Sequence, residues 1–202
     1  MIVDKALWSR EKEEAYKRLW EDLEIGYLDE DLLDILLEFF KRPESFTKSS
    51  CSGRITLLDG PLPWERKEST IIFKKHSTIS LEEIGSLLQQ QVVHRLWLVA
   101  TGPIIHVITL TGREARRILG IAGRAGFKHS GIMSVSKKGF IVELRTGIRL
   151  AVLLKTRRGL VVTSEGIEEA VRAANEALVK GKERLKRLLL ELRRSNTSSK
   201  VK

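Results

Sequence analysis

Apolar side chains recur with a helical period at both ends of the chain. Residues 5–24 place apolar side chains three and four positions apart, which predicts a first helix. A second helix is predicted over 29–40, because acidic residues suit the positive end of a helix and Pro43 stops its continuation. A third apolar stripe predicts a long last helix over 164–194, whose opposite side is strongly basic.

The middle of the chain has the pattern of short strands and two capped helices. Ser80 and Thr111 each begin a Ser/Thr-x-x-Glu sequence, the capping box, which predicts helices over 80–91 and 111–125. Because helices and strands do not alternate regularly, we expect an α+β fold with mixed or antiparallel sheets and flanking helices. Strands are predicted over 54–58, 70–74, 94–101, 104–110, 131–135, 139–145 and 148–154.

The chain length fits a single domain over residues 1–194. Two Ser-Gly sites, each beside strands and a capped helix, suggest an internal duplication. That duplication leaves open a division into two intertwined α+β lobes with a break near 101–111. Residues 195–202 are expected to form a disordered basic tail, because polar chain ends are seldom ordered.

Composition excludes several classes of protein. Hydrophobic residues are 42% of the 202 residues, enough for a substantial core. No apolar run approaches the roughly 20 residues that span a membrane, and the first residues lack the plan of a secretory signal. A single cysteine excludes an internal disulfide and a multi-cysteine zinc site. We therefore expect a cytoplasmic protein with no membrane partner.

The net charge of +10 is unevenly distributed. Residues 1–40 carry 5 Lys/Arg against 12 Asp/Glu, a net charge of −7, whereas residues 41–202 carry 31 against 14, a net charge of +17. This asymmetry favours a polyanionic partner such as nucleic acid. A charged surface adapted to heat is a compatible alternative, but it predicts a more even balance of charge.

The most specific chemistry lies between the second helix and the first predicted strand, in Lys48-Ser49-Ser50-Cys51-Ser52-Gly53-Arg54. Hydroxyl groups, backbone N–H groups around a glycine and one guanidinium form a good anion pocket. The alternative is an ordinary Ser/Gly turn that leads into a strand. A second Ser-Gly site, Lys128-His129-Ser130-Gly131, also leads into an apolar strand and favours the pocket.

Other chemistry is less specific. No dinucleotide or P-loop glycine fingerprint occurs, and no two histidines have metal-ligand spacing, so we expect no metal. His94 and His106 border apolar strands and are interpreted as structural. His76, at a strand end among polar residues, and His129, beside Ser130-Gly131, are candidate site residues. Cys51 is either a nucleophile or, as we favour, a small packing residue.

Several basic residues are candidates for anion contacts. Arg54 can hold a carboxylate or phosphate with two parallel hydrogen bonds, and Arg145 ends a strand before a glycine turn. Residues 180–202 carry nine Lys/Arg and two Glu, and their basic side either contacts phosphates, as we favour, or is a solvated helix face. Lys186 and Arg187 represent this side, and Lys128 accompanies the second Ser-Gly site.

The motif at 49–54 resembles the S-S-C-x-G-R signature of the wybutosine-synthesis methyltransferases, the third enzyme of that tRNA pathway. The likeness extends over about residues 5–190 in the family's order and suggests an archaeal or thermophilic member. The family usually has Ser-His where this chain has His76-Ser77, and Gly102 stands where members often have an acidic residue. Further matching stretches are 73–80, Leu96-Trp97-Leu98, Gly102–Val107, Gly126–Ile132, Glu143–Thr146 and the helix that contains Ala174-Asn175-Glu176.

The resemblance implies an S-adenosyl-L-methionine-dependent tRNA methyltransferase with a family-specific fold unlike the usual methyltransferase sheet. Its substrate is expected to be tRNA(Phe) carrying the 7-(3-amino-3-carboxypropyl)-4-demethylwyosine base next to the anticodon, methylated at N4. We expect the 49–54 and 128–131 segments to converge on one pocket in a single catalytic domain.

Residue roles follow from this expectation. Catalytic roles fall to Arg54, which holds a carboxylate of the donor or substrate, and to His76, which accepts the ring proton. Lys128, Arg145, Lys186 and Arg187 are expected to contact the RNA. The methyl donor is expected to contact Ser49, Ser50, Cys51, Ser52, Gly53, Arg54, Ser130 and Gly131.

Two other functions stay open at this point. A noncatalytic basic RNA-binding module would bind RNA without affinity for the methyl donor. A nucleotide-binding hydrolase would need a metal-binding carboxylate near the serine motif, where only Asp59 is close in sequence. Composition and motifs do not determine the oligomeric state.

Overall fold

The computed structural model describes residues 3–65 and 67–198, which form five α-helices and two antiparallel sheets. The helices are α1 (Lys5–Glu24), α2 (Leu33–Phe40), α3 (Leu81–Gln89), α4 (Gly112–Ala125) and α5 (Ser164–Ser198). A short 3-10 segment, Glu30–Leu32, precedes α2. The strands are β1 (Ser45–Cys51), β2 (Arg54–Asp59), β3 (Thr70–Lys75), β4 (Arg95–Thr101), β5 (Ile104–Thr109), β6 (Gly131–Ser136), β7 (Gly139–Arg145), β8 (Arg149–Thr156) and β9 (Gly159–Leu160).

The sheets have four and five strands, in the orders β1-β5-β7-β6 and β3-β2-β4-β8-β9. Every paired strand in both sheets is antiparallel. The predicted α+β class is therefore confirmed, and of the two predicted sheet types the structure has the antiparallel one. Among the described residues, no helix has the length and apolar character needed to cross a membrane.

The chain divides into two compact units. The first unit takes residues 1–52, 103–147 and 182–202, and the second takes 53–102 and 148–181. The chain therefore crosses between units four times, and a glycine adjoins each crossing, at positions 53, 102, 147 and 181. At Gly53 the residue type is dictated by the backbone, because φ is +99° and a Cβ would lie 2.9 Å from the carbonyl oxygen of Thr101.

The core of the first unit forms where α2, α4 and the second half of α5 contribute apolar side chains that pack with those of β5 and β7. Leu185, Leu188 and Leu192 supply the α5 contribution and are almost fully buried. A smaller cluster joins Trp8 of α1 to Phe46 of β1, with ring centroids 5.4 Å apart. The burial of these apolar faces is the main stabilising contribution to this unit.

The core of the second unit lies between its sheet and two helices, α3 and the first half of α5. Asn175 of α5 ties the loop before α3 to this core: its side-chain oxygen accepts from the backbone N–H of Ile79 at 2.8 Å, and its amide donates to the carbonyl of the same residue at 2.8 Å. The Ser80 capping box forms as predicted, with both hydrogen bonds present between Ser80 and Glu83.

Two boundaries differ from the sequence-based prediction. The stretch before Gly53, to which the sequence assigns neither helix nor strand, is largely the edge strand β1, which is held by backbone pairing with β5 rather than by an apolar pattern. Helix α5 continues to Ser198, four residues beyond its predicted end, because Asn196 donates to the Glu38 carboxylate at 2.7 Å and accepts from Arg42 at 2.5 Å. The predicted tail thus begins inside a helix, and its residues 199–202 lie outside the described residues.

Candidate active site

The serine-rich motif ends the edge strand of the four-stranded sheet. In the β1–β5 pairing, Ser49 stands opposite His106 and Cys51 stands opposite Ile104. A bulge between Thr47 and Ser49 shifts the register just before the motif. The motif is therefore the end of a strand followed by two residues outside any strand, and not the ordinary Ser/Gly turn that the sequence leaves open as an alternative.

Three buried hydroxyl groups of the first unit have no hydrogen-bond partner among the described residues: those of Ser50, Ser52 and Thr146. Ser52 is fully buried, and its backbone N–H donates to the carboxylate of Asp29 at 2.9 Å. Because buried hydroxyls in proteins normally have partners, unpaired ones mark positions where a ligand can supply them. Two of the three belong to the motif that sequence analysis singles out.

Asp29 is a site residue that the sequence does not reveal. Its position suggests only an acid at the start of a helix, whereas in the structure its side chain makes no capping bond there and instead accepts from Ser52. The only sequence signal is an acid in the short segment between two helical patterns, which many loops share. The two residues are 23 positions apart in the chain, so only the fold brings them into contact.

A cavity of about 510 Å³ lies beside the motif within the first unit. Helices α1 and α2, the segment between them and strand β1 form its walls, and Ser49 and Ser50 are part of the lining. The exposed ring of Tyr27 also lines it. Its charged lining consists of four carboxylates and two cations: Glu11, Glu14, Asp22, Asp29, Arg18 and Lys48. This net charge of −2 suits a cation, and not the anion that the serine motif favours in the sequence.

Glu11 is held ionised at one side of this cavity. Hydrogen bonds from Lys138, at 2.6 Å, and Lys48, at 2.9 Å, lower the pKa of its carboxyl to about 2. These contacts join α1 to β1 and to the turn between β6 and β7. The carboxylate of Glu11 therefore keeps its charge well below neutral pH.

The four-stranded sheet brings distant motifs to one end. Its register places Cys51, Ile104 and Arg145 in one row across β1, β5 and β7. Since one strand separates β1 from β7, the first and last of these backbones are about 10 Å apart, two interstrand spacings. The next row but one contains Ser49, His106, Glu143 and Gly131, in which a ring nitrogen of the histidine lies 3.2 Å from the glutamate.

Ser130 fixes the second Ser-Gly segment to the end of β7. Its hydroxyl donates to the carbonyl of Phe127 at 2.7 Å and accepts from the backbone N–H of Arg145 at 3.0 Å. The backbone N–H of His129 donates to the carbonyl of Arg145 at 3.1 Å. One lone pair of the Ser130 hydroxyl is left for a ligand, and its predicted donor contact stays a prediction.

Arg54 and His76, the predicted catalytic residues, belong to the second unit. Arg54 is half-buried, begins β2 and pairs with Thr101 of β4. His76 directly follows β3 and is half-buried. Their positions do not test the predicted roles, which stay predictions.

The predicted RNA contacts are on the surface of the first unit. Lys128 and Arg145 are exposed at the sheet end described above, and Lys186 and Arg187 are exposed on the second half of α5. Exposure is what a phosphate contact requires, and it is equally compatible with a solvated basic surface.

Comparison with known proteins identifies the family. The family model described as "Methyltransferase TYW3" matches residues 10–194, more than nine tenths of the chain. The chain belongs to the methyltransferase TYW3 family. Family membership confirms the sequence-based assignment and makes the chain a methyltransferase that needs a methyl donor.

Named relatives of the TYW3 family are similar over nearly their whole length. A protein of Saccharolobus solfataricus named tRNA(Phe) 7-((3-amino-3-carboxypropyl)-4-demethylwyosine(37)-N(4))-methyltransferase is 43% identical over 196 residues, which cover 96% of this chain and 93% of that protein. A Pyrococcus furiosus protein of the same name, numbered 1, is 35% identical and covers 90% of this chain and 92% of its own.

Solved structures confirm the fold. The PH1069 protein of Pyrococcus horikoshii superposes with a TM-score of 0.87 at 33% identity, over 94% of this chain and 97% of that chain. A hypothetical protein of Aeropyrum pernix superposes with a TM-score of 0.74 at 29% identity, over 81% and 96% of the two chains. The expected family-specific architecture, two antiparallel sheets instead of the usual methyltransferase sheet, is thus shared with solved structures.

Proposed function

We propose that this protein transfers a methyl group from S-adenosyl-L-methionine to N4 of 7-(3-amino-3-carboxypropyl)-4-demethylwyosine in tRNA(Phe). The names of two relatives, at 43% and 35% identity, supply the substrate. The observation that carries the proposal is the acidic cavity lined by Ser49 and Ser50, in a chain of a methyltransferase family. Between the sequence-based alternatives, family membership favours the enzyme over the noncatalytic RNA-binding module.

The residues around the cavity fit this methyl donor. S-adenosylmethionine supplies an electrophilic methyl carbon bound to a cationic sulfur, and its ammonium and carboxylate groups leave it with a net positive charge. A lining with a net charge of −2 attracts such a ligand, and the unpaired hydroxyl of Ser50 can bond to its polar groups. The ring of Tyr27 offers an aromatic face to a cation.

Methyl transfer to a ring nitrogen asks mainly for positioning. The protein has to hold the nitrogen in line with the methyl carbon and favour the form of the base that has lost its ring proton. We propose His76 as the acceptor of that proton and Arg54 as the partner of a carboxylate, as the sequence predicts. A half-buried imidazole and a half-buried guanidinium are chemically suited to these roles.

The tRNA partner accounts for the basic residues of the chain. The exposed side chains of Lys128, Arg145, Lys186 and Arg187 are proposed to contact phosphates. Such contacts position the RNA without reading its sequence. We also keep the cytoplasmic location as a prediction that accompanies a tRNA substrate.

The test uses the full chain, tRNA(Phe) that carries the demethylated base, and donor labelled in its methyl group. Mass analysis of the nucleosides should find the label in that one base, and tRNA(Phe) without the tricyclic base should stay unlabelled. Calorimetry should detect binding of S-adenosylmethionine to the protein alone. Folded protein that binds the tRNA but neither binds the donor nor labels the base would refute the proposal.

A further inference from the structure

A second recess of the first unit has a different character from the acidic cavity. We call it the aromatic groove: it encloses about 900 Å³ and is lined by the rings of Trp8, Tyr16, Trp20 and Phe40. Three of these rings and Lys12 lie on α1 at intervals of four residues and so form one stripe of the helix. Another face of α1 lines the acidic cavity.

Two rings of the groove are unusually exposed for aromatic residues. Tyr16 and Trp20 are 42% and 43% exposed, and they stand edge to face with centroids 6.1 Å apart. The ring centroids of Tyr16 and Phe40 are 5.2 Å apart, and those of Phe40 and the buried Phe46 are 6.5 Å apart. Packing against Phe40 and the core therefore holds the exposed rings in place, so that they are already positioned to stack on a base.

The groove is also positively charged. Its charged lining is Lys12, Lys17 and Lys41 against Glu13, a net charge of +2. Lys12 contributes to the fold itself, because its ammonium lies 5.4 Å from the centre of the Trp8 ring and donates to the carbonyl of Arg42 at 2.6 Å, and burial lowers its pKa. Lys17 and Lys41 are exposed, and Lys41 pairs with the carboxylate of Glu38 at 2.6 Å.

We propose that the aromatic groove binds unpaired nucleotides of an RNA, with bases stacked on Tyr16 and Trp20 and phosphates near Lys17. That the RNA is the enzyme's own substrate rests on the function proposed above. Exposed rings beside lysines are how proteins hold single-stranded RNA, because every base has a face to stack and every linkage has a charge. A purely apolar protein partner would leave the exposed Lys17 without a counterpart, whereas Lys41 already pairs with Glu38.

This assignment places an RNA contact where sequence analysis does not expect one. Residues 1–40 have a net charge of −7, and the sequence favours the basic remainder of the chain for RNA binding. In the structure, α1 contributes Glu11, Glu14, Arg18 and Asp22 to the acidic cavity. The same helix contributes Lys12, Glu13 and Lys17 to the aromatic groove.

The test measures affinity of the full chain, without methyl donor, for a single-stranded oligouridylate and for a fully paired RNA of the same length. Trp20→Ala should weaken binding of the single strand by about tenfold, the cost of one lost stacking partner, and should change duplex binding much less. Trp20→Phe, which keeps a ring, should bind like the parent. Lys17→Gln should weaken binding more than Lys5→Gln, an exposed lysine of the same helix outside the groove lining.

Three results would overturn the inference. Trp20→Ala could bind the single strand as tightly as the parent chain does. It could lose affinity for the duplex and the single strand equally, which would exclude base stacking as the cause. Sedimentation could also show that the parent chain self-associates and that Trp20→Ala is monomeric with unchanged RNA affinity. The groove would then be a contact between two copies of this protein. Methyl transfer does not enter this measurement, so failure of the groove and failure of the proposed reaction are separate outcomes.

Discussion

Arg42 and Glu114 form an ion pair that is almost completely buried, with 2.5 Å between Nε and Oε1. The two residues are 4% and 3% exposed, and Arg42 also donates to Asn196 of α5 at 2.5 Å. The guanidinium thus joins the loop after α2, the start of α4 and the end of α5. The ion pair therefore contributes to stability, and it also keeps the Glu114 side chain from completing the capping box predicted at Thr111.

Removing one member of this pair should strongly lower the stability of the protein. Arg42→Met leaves a buried carboxylate without its main partner, and we expect a loss of about 3–5 kcal/mol in the free energy of unfolding. The double variant Arg42→Met/Glu114→Leu should lose less, because no buried charge is left unpaired. Urea denaturation measures all of these, and the exposed pair Arg172–Glu169, 3.0 Å apart, is the control, where Arg172→Met should change stability by less than about 1 kcal/mol.

Ser50 and Ser45 give a matched pair of serine-to-alanine variants. Ser45 is buried and donates to the carbonyl of Phe39 at 2.8 Å, so Ser45→Ala should cost about 1–3 kcal/mol. The hydroxyl of Ser50 has no partner among the described residues, so Ser50→Ala should leave the stability of the ligand-free protein unchanged or slightly higher.

The same variant should weaken donor binding about fivefold, the worth of one hydrogen bond. Thermal unfolding and calorimetry with S-adenosylmethionine measure the two effects. A Ser50→Ala protein that is destabilised but binds the donor normally would assign the hydroxyl to the fold.

The acid side of the stability curve should depend on Glu11. Its folded pKa is about 2, below the ordinary 4.5, because Lys138 and Lys48 donate hydrogen bonds to the charged form. The carboxylate therefore stabilises the folded state above about pH 4.5, and this contribution disappears as the pH falls toward about 2. Glu11→Gln should be less stable than the parent at pH 7, and the difference should shrink through this window.

Urea denaturation at several pH values measures this difference. Glu14→Gln, which alters an exposed carboxyl on the same helix, serves as the control. A difference between Glu11→Gln and the parent that does not change with pH would contradict the assignment of the low pKa.

Arg54→Ala should abolish methyl transfer and change the melting temperature little. The reason is that a half-buried guanidinium proposed to hold a carboxylate is needed for binding and positioning rather than for the core. Arg158→Ala, in the exposed turn between β8 and β9, should keep full activity. An active Arg54→Ala enzyme would remove this residue from the proposed mechanism.

The affinity for tRNA should fall with added salt, and the exposed pair Lys186 and Arg187 should contribute to that dependence. Replacing both by glutamine should weaken binding and reduce the slope of log affinity against log salt by about 1–2, roughly one for each lost phosphate contact. Binding at a series of salt concentrations measures the slope. An unchanged slope would mean that this side of α5 is only solvated.

The helices could be predicted from sequence because their signals are local. The bounds of α1 follow from apolar spacing alone, and the structure has the predicted helix at Lys5–Glu24. At Thr111 the local signal is only half right. The hydroxyl does accept from the N–H of Glu114, but the glutamate side chain pairs with Arg42 and does not complete the capping box. That partner is 72 residues away, and no local pattern reveals it.

The candidate site could be predicted only where its residues are adjacent in the chain. The serine motif is visible as a run, whereas strand β1 is not, because an edge strand with polar residues lacks the alternating pattern of a half-buried strand. Asp29 and the acidic face of α1 join the site through folding alone. The apolar neighbours of His106 indicate a structural residue, yet its ring lies beside Glu143 in the row that contains Ser49.

Because the chain crosses repeatedly between the two units, the first unit can fold only late in synthesis. Leu185, Leu188 and Leu192 fill the core of the first unit, although that unit also contains residues 1–52. A ribosome therefore has to release residues 185–192 before the hydrophobic interior around residues 1–52 can close. A message truncated before codon 185 would yield a product with exposed apolar surface, a target for chaperones and proteases rather than a smaller working enzyme.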